Sequence, residues 1–101
     1  MPITSYNTDD GFVCIAISER FDFSLHQHFR QAYEGSKAQG TKFRIDLSQT
    51  TYMDSSALGM ILLLKDHVEN IKGEVVISRP NDSVKKILEI AQFNRLLTIE
   101  N

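Results

Sequence analysis

The chain has 101 residues, 42% of them hydrophobic and 24% charged, with five Gly and two Pro. That is enough chain for one modest core, and the balance excludes disordered or low-complexity character. Eleven Lys and Arg against 13 Asp and Glu leave a net charge of −2, which argues against nucleic-acid binding, where phosphate contacts demand a basic excess.

Cys14 is the only cysteine, which excludes an intramolecular disulfide and a cysteine-based metal cluster. The longest apolar run, Met60–Leu64, is far short of the roughly 20 residues that span a bilayer. The residues Met1–Tyr6 lack the basic and apolar regions of a signal peptide. The expectation is a single domain over residues 1–101, cytoplasmic and without a membrane association.

Ile3–Asn7 and Phe12–Ile17 read as strands joined by the turn residues Asp9-Asp10-Gly11, a hairpin whose second arm is apolar enough to be buried on both faces. Cys14 within it reads as a small buried hydrophobe. Ser24 with Gln27 has capping-box spacing, and Leu25, Phe29, Ala32, Tyr33 and Ser36 then recur in steps of three and four, predicting a helix from Ser24 that stops at Gly40. Phe43, Ile45 and Leu47 alternate with Arg44, Asp46 and Ser48, a period-two strand.

After a polar loop, a second helix is predicted from Asp54-Ser55 to about Ile71, closed by Lys72-Gly73. Glu74–Ser78 is a strand. Pro80-Asn81-Asp82 opens a third helix, capped by Asn81 or Asp82, with Val84, Ile87, Leu88 and Ala91 inward. Leu96–Ile99 predicts a short edge strand. Helices alternating with strands after a hairpin imply an α/β fold: a mixed, mostly parallel sheet of about five strands with three helices on it, joined by right-handed crossovers.

The segment Asp46–Gly59 carries most information. It runs from a strand through a polar loop into a helix beginning Asp54-Ser55-Ser56. Asp and Ser are common helix caps. A hydroxyl at a helix start is equally a favourable place for a phosphate, because free backbone N–H groups and the helix dipole stabilise the added charge.

Met53-Asp54-Ser55-Ser56-Ala57-Leu58-Gly59, following Asp46-Leu47-Ser48, resembles the signature of the STAS domain, in particular that of bacterial anti-sigma factor antagonists. Phe21-Asp22 matches the end of that family's Gly-x-Leu-Asp turn, and Val84, Ile87-Leu88 and Phe93 fit its last helix. The resemblance implies the STAS fold over nearly the whole chain. It also implies that Ser55 is the phosphoacceptor, with Ser56 the second choice and Asp54, Ala57 and Gly59 as surroundings. Asp54 then has two readings, a helix cap or a group that orients the hydroxyl or binds a kinase's metal. Two positions depart from the family. Ala57 replaces a Gly, placing a methyl beside the phosphosite, and Glu19 stands where the turn has Gly, so that the turn must differ if positive φ is needed there.

The function so implied is a phosphorylation-switched binding protein that sequesters an anti-sigma factor, often itself a serine kinase, and releases it once Ser55 is phosphorylated. A metal-dependent serine phosphatase reverses the switch. The chain itself is expected to be no enzyme and to need no cofactor, since it has neither a phosphate-cradling glycine loop nor a Gly-x-Ser-x-Gly elbow. Ala57, Ile61, Leu64, Val68 and Ile71 form an inward stripe on the second helix. Leu62 and Leu63 then face out near Asp66, and with Met53 and Asp22 they form the expected partner surface. His26 and His28 diverge on a helix and cannot chelate a metal together, and His67 is expected to be solvated. The alternatives within the same family are an accessory subunit of a lipid ABC transporter and a switch acting on a target other than a sigma-factor pathway.

Overall fold

Alternation along the strands decides which side of the sheet is dry. The computed structural model describes residues 2–100. The chain forms β1 (Ile3–Asn7), β2 (Phe12–Ile17), β3 (Glu19–Phe21), α1 (His26–Gln31), β4 (Lys42–Asp46), β5 (Thr50–Met53), α2 (Ser55–Asn70), β6 (Glu74–Ser78), α3 (Asp82–Ile90) and β7 (Thr98–Glu100). Five strands make the main sheet in the order β1-β2-β4-β6-β7, with β1 antiparallel to β2 and every other pair parallel. β3 and β5 pair separately as a parallel ribbon beyond the C-terminal ends of β2 and β4. The α/β architecture is the one the alternation predicts.

Ile15, Ile17, Phe43, Ile45 and Ile77 point to one face of the sheet and are at most 1% exposed. Phe29 of α1, Ala57, Ile61, Leu64 and Val68 of α2, and Val84 and Leu88 of α3 join them in a single cluster. Each large side chain so buried stabilises the fold by about 1.5–3 kcal/mol, so this layer holds all three helices to the same side. Residues of opposite parity, Phe12, Cys14, Lys42, Arg44 and Asp46, face the other way. A mostly parallel sheet is normally covered on both faces. Here long basic side chains lie over the second face instead. Lys42 Nζ and the Arg44 guanidinium sit 4.7 and 4.2 Å from the Phe12 ring centre, and Arg44 bridges Asp10 at 2.9 Å and Glu100 at 3.4 Å. Cys14 is buried beneath this layer.

Several local expectations are corrected. The first helix is short: a 3-10 turn at Phe23–Leu25 leads into α1, which ends at Gln31. Asp22, not Ser24, caps this start by accepting from the Ser24 N–H at 3.0 Å. Gly35 and Ser36 are poor helix formers, and the chain turns away before them, although Tyr33 stays buried on the expected stripe. Gly40 therefore terminates no helix; it adopts φ +82° in a later turn, where its N–H donates to the Ile71 carbonyl. At the end of α2, Lys72 takes the left-handed conformation. Gly73 serves a different purpose, since a Cβ there would lie 2.0 Å from the Thr41 carbonyl oxygen.

The expected polar loop before α2 contains β5, and β3 was not anticipated. Their pairing places Glu19 at φ 68°, with its N–H donating to the Gln49 carbonyl at 2.8 Å and its carbonyl accepting from Thr51 Oγ1 at 3.2 Å. The turn keeps its left-handed conformation without glycine. The last strand is Thr98–Glu100, shifted toward the C-terminus from Leu96–Ile99, because Phe93–Arg95 forms a 3-10 turn that buries Phe93.

Two measurements follow. A left-handed L-residue costs about 1–2 kcal/mol, so Glu19→Gly should stabilise the domain by roughly 1 kcal/mol and raise its Tm by several degrees; an unchanged or lowered Tm would contradict the strain. Asp10 is held down at about 2, first by Arg44 and next by the Thr8 hydroxyl, whereas an unfolded Asp titrates near 3.9. A depressed folded value stabilises the fold above about pH 4, and this stabilisation is lost as the pH falls toward about 2. Urea denaturation of Asp10→Asn across this window should therefore give a flatter pH dependence than wild type.

Candidate functional site

Four segments at the C-terminal end of the sheet share one local design, an Asp or Asn followed two residues later by Ser. A short side-chain carbonyl or carboxylate accepts from a backbone N–H ahead of it and so turns the chain out of a strand. Asp46 Oδ1 accepts from the Ser48 N–H at 2.9 Å and turns β4 toward β5. Asp22 Oδ1 accepts from the Ser24 N–H at 3.0 Å and from Ser24 Oγ at 2.5 Å. Asp54 Oδ1 accepts from the N–H groups of Ser56 and Ala57 at 3.0 and 3.2 Å and from Ser56 Oγ at 2.6 Å. Asn81 Oδ1 accepts from the Val84 N–H at 2.9 Å and from Ser83 Oγ at 3.0 Å.

This geometry separates the two candidate hydroxyls. Ser56 is half-buried and spends its hydroxyl on Asp54. Ser55 is the first residue of α2, is exposed, and its hydroxyl makes no hydrogen bond among the described residues. Asp54 acts as the helix cap. Its oxygen satisfies N–H groups that a helix start otherwise leaves open, and the favourable dipole remains available to a negative group on Ser55.

The ribbon brings further residues to the same place. Phe21 pairs with Met53 and Arg20 with Tyr52, so both chains leave the ribbon at the same end, one through Asp22 into the 3-10 turn that carries Phe23 and the other through Asp54 into α2 at Ser55. Phe23 is 63% exposed and stacks on His26, with ring centres 4.4 Å apart. Tyr52 is half-exposed with the Arg20 guanidinium 4.2 Å from its ring centre. Arg20 Nε donates to Asp22 Oδ2 at 3.3 Å. The Asp22 carboxyl lies below its ordinary range, owing first to the Ser24 hydroxyl, next to the Ser24 N–H, and also to Arg20. For Asp46, burial works to raise the pKa, but the Ser48 N–H and hydroxyl and Arg79 outweigh it and the net shift is downward; Arg79 Nη2 lies 3.1 Å from its carboxylate.

Met53 lies apart from the surface predicted for it, and Ala57 keeps to its expected inward stripe. Met53 is 3% exposed and packs in the core, because it alternates with Tyr52 along β5. Ala57 is fully buried, so its methyl points into the core and not beside Ser55. Gly59, Leu62, Leu63 and Asp66 do lie on the exposed side of α2, the leucines 41% and 60% exposed. A Cβ on Gly59 would meet nothing within 4 Å, so no internal contact requires glycine at this helical position. Leu63 and Asp66 border an open groove of about 360 Å³ against Arg30 and Tyr33 of the α1 segment. His67 lines this groove but is not solvated as expected: it is half-buried, its Nε2 donates to the Ser36 carbonyl at 2.8 Å, and its ring lies 5.1 Å from that of Tyr33. Phe23, Tyr52 and Arg20 escaped the sequence reading because their exposure depends on the short β3–β5 pairing. No helix is long and apolar enough to cross a membrane, and no cluster of three metal-ligating side chains occurs among the described residues.

The chain matches the family model of the STAS domain over residues 4–101. It is 42% identical over 100 residues to a STAS-domain-containing protein of Pseudomonas aeruginosa, covering 98% of this chain and 99% of the relative. Among solved structures, a candidate anti-sigma factor antagonist from Thermotoga maritima superposes with a TM-score of 0.78 at 18% identity, over 98% of this chain and 86% of that one. The anti-sigma factor antagonist SpoIIAA in its unphosphorylated form gives 0.72 at 15% identity, over 98% and 87%. The phosphorylated form of SpoIIAA, a Bacillus cell-fate determinant, gives 0.68 at 15%, over 98% and 91%. These structural likenesses establish the fold.

The Asp54 cap is directly testable. Asp54→Ala should cost about 0.5–2 kcal/mol of stability in urea denaturation. Asp54→Asn, which keeps an accepting oxygen, should cost clearly less. Equal losses would remove the capping role.

Proposed function

The chain belongs to the STAS domain family, and we propose that it is an anti-sigma factor antagonist whose hold on its partner is set by phosphate on Ser55. The observation that carries this reading is the division of labour at the start of α2. Ser56 and Asp54 satisfy one another and the helix end, which leaves Ser55 exposed and unengaged. The likeness to SpoIIAA, known in unphosphorylated and phosphorylated forms, supports the same reading.

Phosphorylation adds about −1.5 to −2 charge near neutral pH. At the exposed helix start the dipole favours that charge by roughly 0.3–1 kcal/mol, so the domain stays folded. The effect falls on the docking surface, formed by Ser55, Gly59, Leu62, Leu63 and Phe23 with Asp22, Asp54 and Asp66 around it. An unmodified hydroxyl beside exposed apolar side chains can be desolvated cheaply. A dianion beside Asp22 and Asp54 resists desolvation and repels acidic groups of a partner. The partner is an anti-sigma factor that is also the serine kinase, and a metal-dependent serine phosphatase restores the binding form. In this scheme the chain acts in the cytoplasm and contributes a hydroxyl and a surface, with no catalysis of its own. Gly59 fits the scheme as a point of close approach, since a mid-helix glycine costs about 1 kcal/mol relative to alanine and nothing inside the domain requires it.

Mass spectrometry of the protein isolated from cells should locate phosphate on Ser55 and not on Ser56. In binding assays with the cognate anti-sigma factor, Ser55→Ala should bind like unmodified protein and Ser55→Asp at least tenfold more weakly, a loss of about 1.4 kcal/mol. Gly59→Ala should raise stability while weakening that binding. Equal affinity of Ser55→Ala and Ser55→Asp would overturn the switch.

A further inference from the structure

The exposed face of the β3–β5 ribbon holds a cation that is only loosely committed. In a parallel pair, opposed residues point to the same side. Phe21 and Met53 are buried on one side of the ribbon, so Arg20 and Tyr52 share the other, and Asp22 and Asp54 follow them at its end. The Arg20 side chain is 65% exposed. Its guanidinium rests on the Tyr52 ring at 4.2 Å, and its Nε reaches forward to Asp22 Oδ2 at 3.3 Å. That bond points the guanidinium toward the end of the ribbon, at which the adjoining chain passes from Met53 through Asp54 into α2 at Ser55.

Asp22 does not depend on Arg20. Its other oxygen, Oδ1, already accepts from the Ser24 N–H and hydroxyl at 3.0 and 2.5 Å. Losing the arginine leaves a partly exposed oxygen to water, and a surface pair of this kind contributes little, typically about 0–1 kcal/mol. A phosphoserine dianion offers far more, because arginine matches phosphate with two parallel N–H donors and twice the charge faces it. Arg79, another arginine at this end of the sheet, is held by the buried Asp46 at 3.1 Å. The other charged or titratable groups on the ribbon and on the segments leaving it are Glu19, Asp22 and Asp54, with His26 stacked on Phe23 and Asp82 at the start of α3.

We propose that Arg20 is the internal counter-ion of phosphorylated Ser55, exchanging Asp22 for the phosphate when the modification arrives. This rests on Ser55 being the phosphoacceptor. The exchange alters two places at once: it partly neutralises the phosphate and uncovers Asp22. A partner then meets a rearranged ribbon face with a bare carboxylate, in addition to a new charge on α2. Stacking on Tyr52 restricts where the guanidinium can lie and so limits the ordering that the exchange requires.

The test uses the full chain carrying phosphoserine at position 55 by co-translational incorporation, so that no kinase is needed. Phosphorus-31 NMR titration gives the second ionisation of the phosphate. With Arg20 as counter-ion, that value lies below the ordinary value near about 6, and Arg20→Gln should raise it by about half a unit or more. Arg20→Lys, retaining the charge but not the paired donors, should fall between the two. High salt should shrink the difference. The Asp22 carboxyl, followed by carbon-13 NMR, should titrate higher in the phosphorylated chain than in the unmodified one. Identical phosphate titrations for the wild-type and Arg20→Gln chains, both shown folded by circular dichroism, would overturn the assignment. Absence of phosphate on Ser55 in cells would instead remove the proposed function and leave this titration result standing.

Discussion

Thr50 ties the functional end of the domain together. It is fully buried although polar, and a buried hydroxyl without partners would cost about 1–3 kcal/mol. Its Oγ1 donates to the Ile17 carbonyl at 2.7 Å, its carbonyl accepts from Asn81 Nδ2 at 2.6 Å, and its N–H donates to the Leu47 carbonyl at 3.1 Å. One residue thus joins the end of β2, the turn leaving β4 and the cap of α3. The β3–β5 ribbon starts from this point, and it brings the chain leaving β3 at Asp22 and the chain entering α2 at Ser55 out at one end. The apolar layer holds the helices to the sheet, and this hub adds polar ties that fix the start of α3 against the ends of β2 and β4.

The same economy explains why a charge can be added at Ser55 without consequence for the core. The helix start is already satisfied by Asp54, the side chain beneath it is the buried methyl of Ala57, and Met53 anchors the preceding strand in the core. Interiors packed at crystal-like density transmit changes of volume, yet a phosphate on an exposed hydroxyl changes no interior volume. In the proposed switch the signal stays on the surface, in the charges and apolar side chains of the ribbon and the outer side of α2.

Much of this was legible in the sequence because periodicity is a property of long elements. The alternation of Phe43, Ile45 and Leu47 and the stripe from Ala57 to Ile71 predicted which faces are buried, and the Asp54-Ser55-Ser56 motif marked the helix start. What stayed illegible depends on three- and four-residue elements. Glu19–Phe21 is too short to show alternation, so the exposure of Phe23 and the burial of Met53 could not be read from their types. Glu19 carries a left-handed backbone that its side chain disfavours, imposed by hydrogen bonds with Gln49 and Thr51, residues distant in the chain. His67 looked like a surface residue of a solvated helix side, but the turn at Ser36 folds back over it. In each case a contact between distant segments overrides a local preference.

The two faces of the main sheet are covered in different ways. On one, three helices bury an apolar layer and deliver their N-termini to a single end. On the other, Arg44 spans from the β1–β2 turn at Asp10 to β7 at Glu100, lying over Phe12, which links both edges of the sheet through β4. Covering that second face with long amphipathic side chains rather than with further helices lets a chain of 101 residues complete its sheet. Asp10 and Lys42 lie at the far ends of β2 and β4, whereas Glu100 aligns with Ser78 and Asp46 at the end from which the chain passes on toward Ser55. With a Debye length of about 8 Å in physiological salt, exposed charges at the far end are largely screened from the near one. In the proposed switch the electrostatic response to modification therefore falls first to the groups gathered at the ribbon's end.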